Sequence, residues 1–192
     1  MPYKLNNITF SYGKEIIFKD FFLELPEKGI VCFFGPSGCG KTTLARIIAG
    51  LEKPKKGFLA GFADKNFSIV FQEDRLLPWY SCKKNMNLVT HKSEDIFCYL
   101  DMVFLGGEAD KMIDELSGGM QRRLALARAL AFNGDIFILD EPFKGLDMDL
   151  KNKIIENIKL FCKDKLVILI THDEDEASIA DMRIDIKKAS DL

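Results

Sequence analysis

Residues 35–42 read Gly35-Pro36-Ser37-Gly38-Cys39-Gly40-Lys41-Thr42, a complete match to the pattern G-x-x-x-x-G-K-[ST]. The strand-like run Ile30-Val31-Cys32-Phe33-Phe34 precedes it and the helix-like run Thr43-Leu44-Ala45-Arg46-Ile47-Ile48-Ala49 follows. The chain is therefore expected to leave a strand, turn tightly and enter a helix. The glycines let that turn aim successive backbone N–H groups inward. The amides of 38 to 43, Thr43 included, then form a nest for phosphate oxygens at a helix N-terminus. Lys41 adds a point charge for the β- and γ-phosphates, and the Thr42 hydroxyl is placed to ligate Mg²⁺. The turn predicts a nucleoside triphosphate as ligand.

The rest of the composition narrows the class by exclusion. At 192 residues, 47% hydrophobic and 29% charged, the chain has the make-up of one globular domain with a substantial core. Its net charge of −2 and scattered lysines give no footprint for a nucleic-acid backbone. The apolar runs are strand-sized, short of the ~20 residues that cross a bilayer. Met1-Pro2-Tyr3-Lys4 leads into alternating sequence with no secretory apolar region. The five cysteines, Cys32, Cys39, Cys82, Cys98 and Cys162, are dispersed and never spaced C-x-x-C. That pattern suits a reducing cytosol and speaks against a disulfide framework or a structural zinc site.

Hydropathy patterning sets the order of elements. Alternation around Ile8, Phe10, Phe22, Leu23 and Leu25, with a turn at Ser11-Tyr12-Gly13-Lys14, predicts antiparallel strands laid beside the phosphate-binding strand. Lys53-Pro54-Lys55-Lys56-Gly57 ends the first helix, and short strands follow up to Phe67-Ser68-Ile69-Val70-Phe71. Leu76 to Glu115 reads as mostly helical. Ser117 then opens a strong helix with Met120, Leu124, Ala127 and Ala131 on one face and Arg122 and Arg123 elsewhere. Ile136-Phe137-Ile138-Leu139 and Leu166-Val167-Ile168-Leu169-Ile170 are buried-strand runs. An amphipathic helix marked by Leu150, Ile154, Ile158 and Phe161 lies between them. A helix over 174–180 and a last strand near Met182–Ile186 complete the chain. Fully apolar strands alternating with helices predict a mostly parallel sheet covered on both faces.

Two further features carry chemistry. The strand 136–139 delivers Asp140 and Glu141 at its C-terminal end, where open α/β sheets bind ligands. Asp140 is expected to hold Mg²⁺, and Glu141, on the other side of the strand end, to polarise an attacking water. Leu116-Ser117-Gly118-Gly119 has a bland reading, an N-cap serine with loop glycines. It also has a functional one: a second phosphate-binding helix start, with the Ser117 hydroxyl and the amides of Gly118 and Gly119 open to a γ-phosphate. One nucleotide needs only one such start, so the surplus implies that each subunit lends its second site to a partner.

Leu116-Ser117-Gly118-Gly119-Met120-Gln121 resembles the signature motif of the ATP-binding cassette (ABC) ATPases, and the resemblance covers nearly the whole chain. Tyr12 matches the adenine-stacking aromatic, Gln72 the Q-loop, Gly145-Leu146-Asp147 the D-loop and His172 the switch histidine. The resemblance implies an α/β P-loop NTPase with a mostly parallel sheet flanked by helices. Residues 1–75 and 133–192 would form the nucleotide-binding core with an N-terminal antiparallel β subdomain, and 76–132 a helical signature subdomain. It implies ATP and Mg²⁺ as cofactors, with Thr42, Gln72 and Asp140 around the metal and His172 orienting the γ-phosphate. Ser117, Gly118, Gly119 and Asp147 would serve the nucleotide of a second, identical subunit.

Phe71-Gln72-Glu73-Asp74-Arg75-Leu76-Leu77-Pro78-Trp79 resembles the Q-loop of importer ATPases of the nitrate/sulfonate/taurine group. That implies an importer subunit held on the inner face of the cell membrane by a permease, with a substrate-binding protein upstream and no nucleic acid. Leu76, Leu77, Pro78 and Trp79 would form the docking patch for the permease; the alternative places them in the core of the helical subdomain. The segments after Gly57 and after Trp79 are short for the family, and no C-terminal regulatory region is expected. Two other classes compete. A soluble ABC ATPase of DNA repair would carry a long coiled coil between the halves, and one of translation would carry two cassettes. A regulatory module without turnover would lack a carboxylate or the histidine, and both Glu141 and His172 are present.

Overall fold

The computed structural model describes residues 2–90 and 93–187. The strands are β1 (Tyr3–Tyr12), β2 (Glu15–Leu25), β3 (Gly29–Phe34), β4 (Lys56–Ala60), β5 (Phe67–Val70), β6 (Ile136–Asp140), β7 (Leu166–Thr171) and β8 (Met182–Asp185). The α-helices are α1 (Lys41–Ile48), α2 (Cys82–Met86), α3 (Ser93–Met102), α4 (Gly118–Phe132), α5 (Met148–Phe161) and α6 (Glu174–Ala177). Contacts divide the chain into two compact units, Met1–Phe67 with Asp164–Leu192, and Ser68–Lys163.

The first unit holds two sheets. β1 pairs antiparallel with β2 on one side and with β4 on the other, giving the order β2-β1-β4. β3 pairs in parallel with β7, from Gly29 opposite Leu166 to Phe34 opposite Thr171, and with β8 from Val31 opposite Met182. The expectation that β1 and β2 lie beside the phosphate-binding strand is therefore corrected: they belong to a separate sheet. The physical reason is in the burial. Val31, Cys32 and Phe33 and the whole of β7 are buried, so these strands need cover on both faces, which parallel neighbours with flanking helices supply. β1 and β2 alternate buried and exposed residues, with register shifts around Ile8, and cover a core with one face only.

The second unit sets β5 beside β6, with α2, α3, α4 and α5 and two 3-10 turns. β6 is buried along its whole length. The segment expected to be mostly helical, 76–115, contains two short α-helices joined by irregular chain and the 3-10 turns at Gly106–Glu108 and Ile113–Glu115. α4 starts where the sequence places it, capped by Ser117, whose Oγ accepts from the Met120 N–H at 3.3 Å. Leu124, Ala127 and Ala131 are buried as the periodicity requires, but so is Arg122, at 5% exposure. Assigning Arg122 away from the buried face is therefore overturned, and the reason is its role in the site described next. Among the described residues no helix is long and apolar enough to cross a membrane.

Candidate nucleotide-binding site

In the first unit, β3 ends at Phe34 and the glycine-rich turn carries the chain into α1 at Lys41. Gly40 caps α1 in a left-handed conformation, φ 107°, with no side-chain cap. A Cβ there would come within 2.9 Å of Ile17 Cγ2 and of the Phe18 ring, both on β2. Only glycine lets the loop close under that sheet. Lys41 is buried, and its ammonium donates to the carbonyls of Gly35 (2.6 Å) and Pro36 (2.9 Å). The charge is thus held inside the loop by two neutral acceptors, for which phosphate oxygens would substitute. Pro36, Ser37 and Gly38 are exposed, Cys39 is buried with its Sγ 4.0 Å from the ammonium, and Thr42 and Thr43 are half-buried on the first turn of α1.

Because β3 and β7 are parallel with Phe34 opposite Thr171, the loop and His172 leave the same edge of the sheet. His172 is exposed. Its segment is fixed from beneath: the buried Thr171 hydroxyl donates to Glu176 Oε2 at 2.7 Å and accepts from the Asp173 N–H at 3.1 Å. Asp173 then caps α6 through the N–H groups of Asp175 and Glu176. Tyr12, at the end of β1, is 42% exposed, packs edge-on against Phe10 at 4.9 Å and donates to Glu52 at 3.4 Å, leaving ring area open for stacking. Within the sheet, burial pushes the Cys32 thiol up to about 11, the Arg183 guanidinium opposing. That thiol is an inert core group.

The second unit contains Gln72, Ser117, Gly118, Gly119, Asp140, Glu141 and Asp147. Asp140 ends β6 and is buried, while Glu141 lies outside the strand with φ 48°. Strand alternation is therefore not what orients Glu141; a left-handed residue turns the backbone there. Asp147 caps α5, accepting from the Leu150 N–H at 2.9 Å. Gly119 lies so close to the chain at Gly145 that an added Cβ would sit 3.1 Å from its carbonyl oxygen. The signature helix start and the Gly145-Leu146-Asp147 segment are packed together. Gln72 is exposed two residues beyond β5.

Sequence reasoning missed the groups that hold these segments. Arg122 donates through Nε (3.1 Å) and Nη2 (2.9 Å) to the Glu141 carbonyl, through Nη2 to the Asp140 carbonyl, and through Nη1 to the Phe71 carbonyl. Its Nη1 also pairs with Asp74 Oδ1 at 2.8 Å. Asn85, fully buried, accepts from the Leu77 N–H at 2.9 Å and donates to the carbonyls of Leu77, Tyr80 and Ser81. It fixes the segment on which Trp79 is 65% exposed, with Leu76 and Leu77 half-buried. A charged residue in a helix otherwise rich in apolar residues was the one available signal for the first, since a buried guanidinium needs partners.

Residues 18–144 match the ABC transporter family. The chain belongs to that family. An aliphatic sulfonates import ATP-binding protein of Rhodococcus jostii is 39% identical over 188 residues, spanning 94% of this chain and 76% of that one. An Fe(3+) ions import ATP-binding protein of Escherichia coli is 35% identical over 91% of this chain and 56% of its own length. This cassette spans a little over half the length of most of the curated relatives it matches. A dimeric ATP-binding cassette, MJ0796, in a post-hydrolysis state bound to ADP and Pi, superposes with a TM-score of 0.84 at 30% identity, over 96% of this chain and 94% of that one. The family binds ATP, and the α/β fold with its antiparallel β subdomain is that of a cassette.

Proposed function

We propose that this chain hydrolyses ATP as the motor subunit of an importer, closing head to tail with a second copy around two nucleotides. The observation that carries the reading is the pair of helix starts, Gly40–Lys41 on α1 and Ser117–Gly118 on α4, one more than a subunit needs for a single ATP. The dimeric cassette of 30% identity and the import names of the curated relatives support it. In this reading Lys41, Thr42 and the amides of 38 to 43 hold the phosphates, and the Tyr12 ring stacks on adenine. Glu141 takes the proton of the attacking water, His172 donates toward the γ-phosphate, and Ser117, Gly118, Gly119 and Asp147 complete the partner's site.

The loop between β3 and α1, with the Lys41 ammonium held inside it by the Gly35 and Pro36 carbonyls, fits a triphosphate. Thr42, Gln72 and Asp140 are hard oxygen donors of the kind Mg²⁺ takes one or two at a time. Bound with the nucleotide, Mg²⁺ would neutralise phosphate charge. The membrane permease, the substrate-binding protein and the position on the cytoplasmic face belong to the same proposal. Relatives named for sulfonates, ferric ions and polyamines share comparable identity, so the cargo is a property of the permease.

The test is the dimer. With ATP, Glu141→Gln is expected to elute as a stable dimer and to lose steady-state turnover, because the amide keeps the shape but cannot act as a base. Ser117→Arg, which leaves the subunit's own phosphate loop intact, is expected to bind ATP as a monomer and to hydrolyse little. Wild-type turnover by monomeric Ser117→Arg would overturn the two-subunit mechanism.

A further inference from the structure

Arg122 is the most heavily engaged side chain of the second unit, and the activity proposed above assigns it nothing. Its guanidinium reaches two separate stretches of chain. On one side it takes the carbonyls of Asp140 and Glu141, the two residues whose side chains carry the proposed metal and water chemistry. On the other it takes the Phe71 carbonyl and the Asp74 carboxylate, which bracket Gln72. Both stretches have a left-handed residue, Glu141 at φ 48° and Arg75 at φ 48°. Such residues persist only where surrounding contacts over-determine them. The 71–75 loop is pinned further: Arg128 donates to the Asp74 carbonyl at 3.2 Å, and the Arg75 guanidinium stacks on the Phe71 ring at 3.6 Å. Gln72 and Glu73 are left exposed at its crest.

We infer that Arg122 is a positioning residue that fixes Gln72 and the Asp140–Glu141 pair relative to each other through their backbones. The inference rests on the reading of Glu141 as the base and Gln72 as a metal ligand. A planar fork is required because the donors diverge in one plane toward two peptide segments; the ammonium of lysine, on a flexible stem, cannot span both. Displacing a catalytic group by ~1 Å costs rate on the order of 10²-fold while leaving nucleotide affinity, set by the phosphate loop, largely unchanged.

The experiment measures kcat and KM for ATP in Arg122→Lys, Gln72→Ala and the double variant, with Glu141→Gln as control. Arg122→Lys is expected to lower kcat by 10- to 100-fold with KM within about 3-fold of wild type. In the Gln72→Ala background its additional cost should shrink several-fold, since one of the two groups it aligns is gone. Independent, multiplicative losses would overturn the coupling, as would wild-type kcat in Arg122→Lys. If Arg122→Lys does not fold, Asp74→Asn takes its place. That change loosens one arm of the fork at a half-buried site, and kcat should fall several-fold with KM unchanged; wild-type kcat there overturns the inference. Wild-type turnover in Glu141→Gln would instead refute the underlying assignment of the base, so the two failures are distinguishable.

Discussion

In the mechanism proposed above, Glu141 couples stability to activity in a way that can be measured at a single position. Its φ of 48° lies in the left-handed region, where a Cβ crowds the following carbonyl at a cost of about 1–2 kcal/mol. Three hydrogen bonds on its carbonyl hold the conformation: two from Arg122 and a longer one, at 3.4 Å, from the Lys144 N–H. Glu141→Ala and Glu141→Gly both remove the carboxylate and everything it touches, so their difference isolates the backbone. Glycine gains the relief of the Cβ clash and loses about 0.5–1 kcal/mol to the greater freedom of its unfolded chain. The net is about 1 kcal/mol in favour of glycine, the reverse of the usual order in regular structure.

For a domain of this size that difference is a melting temperature roughly 2–4 °C higher for the glycine variant. Urea unfolding of the nucleotide-free variants gives the free energies, and steady-state phosphate release gives turnover. Both variants, like Glu141→Gln, are expected to lose at least about 10²-fold in turnover, since catalysis of phosphoryl transfer rests on positioned charge. An alanine variant as stable as the glycine variant would refute the claim of stored strain. A glycine variant with near-wild-type turnover would refute the role of the carboxylate.

Three other outcomes follow from particular contacts. Ser117→Asp keeps an N-cap acceptor on α4 and should leave stability within about 0.5 kcal/mol of wild type, yet its negative charge should abolish the ATP-dependent dimer seen by light scattering; a surviving dimer would reduce Ser117 to a cap. Leu77→Ser with Trp79→Ser should cost well under the 2–5 kcal/mol of a core deletion, because Trp79 is exposed and Leu77 half-buried; the folded variant should hydrolyse ATP but fail to co-purify with the permease proposed above, and a collapse in melting temperature would return both residues to the core. The buried Cys32 thiol, raised from 9.0 to about 11, favours the folded state fully below pH 9, and that contribution fades as pH rises towards 11; Cys32→Ala should flatten this alkaline loss by about 2 kcal/mol in unfolding titrations, and an unchanged slope would refute it.

The phosphate loop was legible because its chemistry is local. Strand, glycine turn, Lys41 and helix are contiguous, and the only tertiary contacts that the loop glycine at 40 answers to, Ile17 and Phe18, merely explain a residue already identified. The Ser117 cap was legible for the same reason: its hydroxyl bonds the residue three positions on. Sheet membership was not. Whether β2 joins β3 depends on how a three-residue connection at 26–28 directs the chain, and alternation in β1 and β2 says which face is buried, not against what. Within 76–115 the helices were legible as helical character, but the irregular start of the segment, bonded by one buried amide, Asn85, was not.

Arg122 exposes a more general limit of reading by periodicity. Helical spacing sorts residues into faces, and a charged residue is sent to solvent because burying it unpaired is prohibitive. The exception arises where other chain segments turn carbonyls toward the side chain, and those segments lie far off in sequence, at Phe71 and at Asp140–Glu141. The end of β6 and the left-handed residue after it bring the carbonyls of Asp140 and Glu141 within reach of one guanidinium. Something must donate to them, and a guanidinium, with five donors in a plane, satisfies several at once. The backbone of the strand end is thus what accommodates a buried arginine. The arginine's misfit with the helix pattern is the trace this arrangement leaves in the sequence.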